Sequence, residues 1–407
     1  MQPHCCFSLY RNRRVHLGIT GSIAACKSLE LLRMLGSLGL RTGMTLTKGA
    51  QQFLTPLTCR ALGADPVHTA MFDAPGHDFA HLEPGQQAEA MLVAPATANI
   101  IAKAAHGIAD DLLSCQLLAF PGPLLMAPAM NHRMWSAIPT QENWARLKDR
   151  STICLDPAEG PMACGESGVG RMAGLDLILM HLLRALTDQD LKGRRILLTL
   201  GPTRERWDPV RFWSNPSSGI MGGSLAVAAW LRGAEVGVVH GPVDLWFPPG
   251  ITCYPVTTAA EMFTACTDLW PGMDMGCLTA AVCDFSPVPH GTEKFKKSRL
   301  QGSTLTVEFT ANADILAELG RTKSDRQMLI GFAAETSDLE ANARRKLTDK
   351  NLDLIVANTI GVPGRGFGSP SNEVLVLDRN GGSELWPLLP KPEIAWRIWD
   401  RILPLAS

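Results

Sequence analysis

The sequence contains no Cys-x-x-Cys pair, although 11 cysteines are scattered over its 407 residues. Cysteine-rich structural zinc sites commonly use such spacing, and an odd, scattered cysteine count in a chain this long does not look like a secreted disulfide framework. A reducing cytoplasm is the expected compartment. Neither sign of charge is in excess: the formal net charge is −1. No global field therefore favours nucleic acid or an anionic membrane, and any phosphate must be met by a local site. No run reaches the ~20 apolar residues of a membrane span. There is no GxxxxGKS/T phosphate loop and no short internal repeat. The arm of residues 1–14 carries Arg11, Arg13 and Arg14 and begins like a targeting segment. The apolar run after it is interrupted by Gly18, Gly21, Lys27 and Glu30, so the arm is expected to be disordered rather than targeting.

What is present is apolar material for two cores, with 46% hydrophobic and 19% charged residues. Short apolar runs alternate with helical patterns. Val15–Ile19, Met44–Thr47, Ala90–Ala94 and Leu124–Ala127 read as strands, with Ser22–Leu38 and Leu175–Leu186 as helices. Thr187–Lys192 is short and polar, a candidate linker. The pattern then restarts: strands at Arg195–Leu200, Val236–His240, Gly276–Ala281, Met328–Phe332 and Leu354–Ala357, and a helix at Gly222–Arg232. Val374–Leu377 and Glu384–Pro387 suggest a hairpin across Asn380-Gly381. Strand–helix alternation predicts two α/β domains, residues 15–190 and 191–407, each a three-layer unit around a mainly parallel sheet.

In the first half, Gly18 to Ala25 (GITGSIAA) lies where a strand turns into a helix, a place suited to a phosphate. Ala94-Pro95-Ala96-Thr97-Ala98-Asn99 follows a buried strand. Pro128-Ala129-Met130-Asn131-His132-Arg133-Met134-Trp135 follows another. Ala163 to Met172 (ACGESGVGRM) is a glycine-rich loop with one cysteine. In this order the segments resemble the phosphopantothenoylcysteine decarboxylase family of flavin mononucleotide proteins, over roughly residues 15–186. That resemblance implies a flavodoxin-like domain. Gly21, Ser22, Ile23 and Thr47 would hold the FMN phosphate, and Ala94, Pro95, Ala96, Thr97 and Asn99 would line the flavin. His81, at the family's spacing before Ala94, would be the catalytic histidine, with His77 as the nearby competitor. Asn131 would bind the substrate carboxylate, and Cys164 would protonate the decarboxylated intermediate. The chemistry is reasonable: a carboxylate with no electron sink leaves only after the thiol-bearing carbon is oxidised.

In the second half, Gly201 to Arg211 (GPTRERWDPVR) and Phe212 to Gly219 (FWSNPSSG) lead from a strand into a helix with arginines and hydroxyls, the makings of an anion site. Ala280 to Phe285, Lys294 to Lys297, Asn312 to Ile315, Gly331 to Thr336 and Lys346 to Asn358 complete a series. The series resembles phosphopantothenate–cysteine ligase over roughly residues 191–400, in a Rossmann-like domain. The fused arrangement is similar to bacterial bifunctional proteins whose ligase uses CTP. By that resemblance, Asp284 would read the cytosine with the backbone of Leu278, Thr279 and Ala280. Lys294 would contact the triphosphate. Ala313, Asp314, Ile315, Leu316, Phe332, Lys346 and Lys350 would complete the nucleotide pocket. Asn215 would hold the acyl-cytidylate, Arg211 would assist cysteine capture or turnover of that intermediate, and Mg2+ would ride on the phosphates.

The expected substrates are 4′-phosphopantothenate, L-cysteine and CTP, with FMN as cofactor, no nucleic-acid or membrane partner, and homo-oligomers, since flavin sites in the family form between subunits. Four positions depart from the family pattern: Ile220 replaces a lysine, Pro216 a polar or basic residue, Cys26 a tyrosine and Cys283 an alanine. Two rival readings are other flavin-linked decarboxylations and a non-enzymatic regulator of phosphatases. The Cys164 loop and the ligase half argue against the first, and the retention of Asn215, Asp284 and Lys294 against the second.

Overall fold

Buried polar backbone and an alternating apolar pattern leave two separate sheets to be covered, and the computed structural model builds each as its own unit. It describes residues 2–72, 78–296, 303–335, 338–359 and 368–405. His77 and Lys297 lie outside the described residues. One unit comprises Phe7–Thr187; the other comprises Gln2–Cys6 and the chain from Asp188 onward.

The first unit runs β1 (Arg14–Ile19), α1 (Ala25–Ser37), β2 (Arg41–Leu46), α2 (Pro56–Ala61), β3 (Ala64–His68), α3 (Glu83–Gln87), β4 (Ala90–Ala96), α4 (Ala98–His106), α5 (Leu112–Ala119), β5 (Leu124–Pro128), α6 (His132–Ser136), α7 (Ile138–Asp149), β6 (Ile153–Cys154), β7 (Ala158–Pro161), β8 (Ser167–Arg171) and α8 (Leu175–Ala185). Its parallel sheet has the order β3-β2-β1-β4-β5-β6. In β4 every residue is buried, as a strand covered on both faces must be. Met91 and Val93 pack with Ile100 and Ile101 of α4, Leu113 and Leu117 of α5 and Trp144 and Leu147 of α7. Helix α1 packs against α8. The chain leaves β1 toward β2 and leaves β4 toward β5, so the switch point lies between β1 and β4. β7 and β8 form a separate antiparallel hairpin.

The second unit runs β9 (Arg195–Leu200), β10 (Arg204–Arg206), β11 (Phe212–Ser214), α9 (Ile220–Leu231), β12 (Glu235–His240), β13 (Ile251–Pro255), α10 (Ala259–Leu269), β14 (Met275–Leu278), β15 (Phe285–Pro287), β16 (Phe309–Ala311), α11 (Ile315–Thr322), β17 (Met328–Glu335), α12 (Leu339–Asp349), β18 (Leu354–Thr359), β19 (Ser371–Asp378), β20 (Ser383–Pro390) and α13 (Lys391–Ile402). Its main sheet has the order β13-β12-β9-β14-β17-β18-β19-β20. The strands are parallel up to β18, and β19 and β20 add an antiparallel hairpin. Gly381, at φ +91°, turns that hairpin, and Asp378 Oδ1 accepts from the backbone N–H groups of Asn380 and Gly382. Here the switch point lies between β9 and β14. Helix α9 is nearly wholly buried, and Gly222 lets it approach the sheet: a Cβ there would lie 2.5 Å from Leu200 Cβ. Two short ribbons, β10–β11 and β15–β16, project from the loops.

One expectation fails. The N-terminal arm is ordered, because it has apolar and aromatic side chains to bury: Cys5, Phe7 and Tyr10 are at most 1% exposed. His4 Nε2 lies 2.8 Å from the Trp246 carbonyl, Gln2 Oε1 accepts from Trp246 N, and Tyr10 Oη lies 2.6 Å from Thr187 Oγ1.

Candidate functional sites

In the first unit the turns after β1 and β4 meet at the switch point, where open parallel sheets bind ligands. Thr20 ties them together: its hydroxyl donates to the Pro95 carbonyl at 2.8 Å and accepts from Thr97 N at 3.0 Å. Ser28 Oγ donates to the Ala94 carbonyl. Gly21 sits against Gly49, so a Cβ on Gly21 would come within 2.9 Å of Gly49 Cα. Thr47 Oγ1 donates to the Ile19 carbonyl and accepts from Ala50 N. The first turn of α1 has no acidic residue and no side-chain cap, so the helix offers its positive end outward beside Ser22 and Ile23. Ile23 is 59% exposed, and Asn99 is exposed in the first turn of α4. This glycine-lined, acid-free cradle fits a flavin phosphate, with Ala94–Asn99 as its neighbouring wall.

Asn131 and Cys164, 33 residues apart, come together. Asn131 caps α6, accepting from Arg133 N through Oδ1 at 2.9 Å. Its Nδ2 lies 3.5 Å from Cys164 Sγ and donates to Glu166 Oε2 at 2.7 Å. Cys164 is exposed near the tip of the β7–β8 hairpin, which Gly170 locks against the Met130 backbone: a Cβ there would overlap the Met130 carbonyl at 2.3 Å. Glu166 had no role assigned from sequence, yet it is the hub. It also accepts from Arg133 Nη2 at 2.7 Å and lies 3.9 Å from Cys164 Sγ. Asn131's amide, opposed by burial and helped by the charges of Arg133 and His132, holds its carboxyl below the usual glutamate range. An acidic residue inside a cysteine loop was the available signal. His81 is placed elsewhere, partly buried just before α3 with its ring 6.4 Å from that of Phe79. Among the described residues no hydrogen bond joins it to Asn131 or Cys164.

The second unit gathers its residues into one cavity of about 630 Å³ at the carboxyl ends of β9, β14 and β17. Asn215, Leu278, Thr279, Ala280 and Asp284 line it, with Ala313–Leu316, Phe332, Lys346 and Lys350. Asn215 Nδ2 donates to the Val282 carbonyl at 3.0 Å, which fixes it beside the strand end. Cys283 is buried, with its N–H on Thr203 Oγ1, whereas neighbouring Asp284 is exposed to the cavity. Two of the lysines are paired: Lys346 with Glu335 and Lys350 with Asp314, both at 2.7 Å. Burial raises the Asp314 carboxyl, but Lys350 and the Ala317 N–H outweigh it, and the net shift is downward. Ser217, Ser218 and Gly219 bring the N-terminus of α9 to the same cavity.

Lys294 and Arg211 do not line that cavity; they are brought near each other by Asp208, which sequence reasoning also left without a role. Buried Asp208 accepts from Val210 N and Arg211 N through Oδ1, and from Arg211 Nη1 and Phe295 N through Oδ2, at 2.6 to 3.1 Å. Phe295 is the residue after exposed Lys294. Its ring packs on Trp207 and His290 at 5.2 Å and 4.9 Å. Burial alone would raise the Asp208 carboxyl. The three N–H groups and Arg211 carry it down to about 2 instead.

Residues 8–187 match a family described as Flavoprotein, and residues 191–405 match the DNA/pantothenate metabolism flavoprotein C-terminal domain. The coenzyme A biosynthesis bifunctional protein CoaBC of Vibrio cholerae is 40% identical over 96% of this chain and 98% of its own. That of Bacillus subtilis is 38% identical over 98% of both chains. The chain belongs to the CoaBC family. It is therefore a bifunctional enzyme of coenzyme A biosynthesis with a flavoprotein first half. Among solved structures, the C-terminal domain of a CoaBC protein is 38% identical over 54% of this chain and 98% of its own, with a TM-score of 0.45. Of the four positions expected to depart from the family pattern, Ile220 lines the cavity at the start of α9, Cys283 lines it too although it is buried, and Cys26 and Pro216 are exposed.

Proposed function

We propose that the second unit joins 4′-phosphopantothenate to L-cysteine using CTP, and that the first decarboxylates the product, 4′-phosphopantothenoylcysteine, to 4′-phosphopantetheine. The observation that carries this reading is the meeting of Asn131 and Cys164 beneath one hairpin. An amide donor that can hold a carboxylate then stands beside a thiol that can deliver a proton to the carbon the carboxylate leaves. When bound, FMN supplies the hydride acceptance and return that give that carboxylate an electron sink. The first turn of α1 and Thr47 would hold its phosphate, and Ala94, Pro95, Ala96, Thr97 and Asn99 would wall the ring. The β7–β8 hairpin would exclude water from the reacting carbon.

In the second unit Asp284 and the backbone of Leu278–Ala280 would select the cytosine. Asn215 would hold the activated acyl group, and Lys294 and Arg211 would reach the reacting phosphate from the Asp208 loop. Mg2+ would be carried on the triphosphate rather than in a protein cage. We also propose self-association: Phe212, Trp213 and Phe285 on the two ribbons are 48%, 57% and 56% exposed, an apolar surface that a second copy would cover. His81 would complete its site across subunits. We place the enzyme in the cytoplasm, as the scattered, odd-numbered cysteines of the sequence suggest.

The test is a coupled assay with phosphopantothenate, cysteine and CTP. Wild type is expected to release pyrophosphate and carbon dioxide and to form 4′-phosphopantetheine. Cys164→Ser should stop the last product while phosphopantothenoylcysteine accumulates. Simultaneous loss of both products would sink the two-site reading.

A further inference from the structure

The loop that carries His81 is held from inside the first unit by a one-way chain of buried polar groups. Ala80 is fully buried, and its carbonyl accepts from Gln116 Nε2 of α5 at 2.8 Å. A carbonyl can only accept, so the Gln116 nitrogen must face Ala80 and its oxygen must face the other way. That oxygen takes the single proton of Thr45 Oγ1, at 2.7 Å on β2. His16 Nε2 on β1 lies 2.8 Å from the same hydroxyl and must therefore donate to it. His16, Thr45 and Gln116 are 3%, 1% and 1% exposed. Burial, reinforced by His68, pushes the His16 imidazole down to about 3, so the ring is neutral with its proton on Nε2. On the other flank of His81, Glu83 Oε2 lies 3.3 Å from Nε2 of His68, and the His68 ring stacks on His16 at 6.1 Å.

Three buried polar side chains on β1, β2 and α5 replace apolar packing, and burial of that kind is tolerable only when every group is bonded. Their bonds join no two secondary-structure backbones. They converge on the backbone carbonyl next to His81. We infer that Gln116 is a positioning residue for decarboxylation: by fixing Ala80 it sets where His81 is presented. This rests on the reading of His81 as the catalytic histidine.

The test measures decarboxylation of phosphopantothenoylcysteine by the full chain loaded with FMN. Gln116→Leu should lower kcat about 10-fold, because a misplaced catalytic group costs rate rather than affinity. KM should stay within about twofold, with bound flavin and ligase activity unchanged. Gln116→Glu supplies the conservative variant. In a site this buried, bonded to Thr45 and Ala80, with His16 next along the chain and His68 and Glu83 beyond it, its carboxyl is expected to titrate high. When neutral it can donate to Ala80 and accept from Thr45; when ionised it can do only the second. Its kcat should therefore approach wild type near about pH 6 and fall toward the leucine variant by about pH 8.5. A wild-type kcat in Gln116→Leu, a loss confined to KM, or a loss that Gln116→Glu does not recover at low pH overturns the inference. Should Gln116→Leu not fold, the pH series of Gln116→Glu decides alone. His81→Asn run in parallel separates the two ideas: full activity there removes the reading of His81, whatever Gln116 does.

Discussion

In the first unit the groups expected to act come from a helix cap and a hairpin tip, Asn131 and Cys164, whereas in the second the cavity is built largely from strand ends and the helix starts beside them. The proposed flavin cradle of the first unit and the cavity of the second each lie at a switch point of a parallel sheet. The difference is in what completes them. The proposed nucleotide cavity gathers Asn215, Asp284, Phe332 and three lysines, Lys346, Lys350 and Lys391, around 630 Å³ as a consequence of the sheet itself. The proposed decarboxylase site depends on loops, with His81 held apart from Asn131 and Cys164. Loops also supply the second unit's exception, since Arg211 and Lys294 lie off the cavity and are tied together by Asp208. In each half one buried or half-buried carboxylate, Glu166 or Asp208, organises the loop chemistry.

The largest effect should follow from cutting the Asp208 hub. Asp208→Asn removes the charge that holds Arg211 and weakens the bond to Phe295 N, so Arg211 and the Lys294 segment lose their common anchor. Ligation should fall about 100-fold, as expected for misplaced reacting groups, with decarboxylation unchanged. Pyrophosphate release and carbon dioxide release measure the two separately. The acid dependence has a definite sign. The native carboxyl is depressed to about 2, against about 3.9 unfolded, so its stabilisation is present above roughly pH 4 and is lost as pH falls toward 2. The gap in melting temperature between wild type and Asp208→Asn should be constant near neutrality and narrow through that window. Equal losses in both activities would mean that the two halves are not organised independently.

A smaller effect tests the other hub. Glu166 presents a carboxylate to the amide that would receive the substrate's carboxylate, so the two compete for Asn131 Nδ2. Glu166→Ala should lower KM for phosphopantothenoylcysteine about fivefold, because the amide of Asn131 is freed from one charge-assisted hydrogen bond. Inhibition by 4′-phosphopantetheine, which lacks that carboxylate, should not change. A raised KM would show that Glu166 helps close the hairpin rather than competing for Asn131.

How much of this was legible beforehand follows the same division. Strands with apolar runs were read to within a few residues: Arg195–Leu200 matches β9, and the hairpin across Asn380-Gly381 pairs β19 with β20. The pocket residues on strand ends could be placed from motif order, because the sheet dictates where strand ends go. The hubs could not. Glu166 and Asp208 act through backbone N–H groups and side chains brought in by loops, and no periodicity marks which carboxylate in a polar segment turns inward. The chain from His16 through Thr45 and Gln116 was hidden for a related reason. Each residue sits singly inside an apolar strand or helix, where a lone polar side chain carries no signal of its partner. The arm differs from expectation because an interrupted apolar run excludes a targeting segment without saying whether Phe7 and Tyr10 find a core, and in the fold both rings are buried.

The smallest predicted effect concerns the departure at Ile220. It stands at the first position of α9 and lines the cavity where the family pattern has a lysine. Lys346 and Lys350 are already paired with Glu335 and Asp314, so before nucleotide arrives much of their charge is compensated. A lysine at 220 would add an uncompensated charge at the α9 end of the cavity, where Ser217 and Ser218 also lie. At an open, solvent-screened position such a charge contributes about 0.5–1 kcal/mol. Ile220→Lys should therefore raise ligase kcat/KM about threefold at low ionic strength, with the gain shrinking as salt is added and decarboxylation unaffected. Pyrophosphate release at limiting phosphopantothenate reads it directly. A salt-independent gain would point to packing at the start of α9 instead of charge. No gain at all would mean that the paired lysines already meet the anion in full, and that the second unit's cavity tolerates the exchange because its strand-end frame, unlike the loop-built site of the first unit, does not depend on any one side chain.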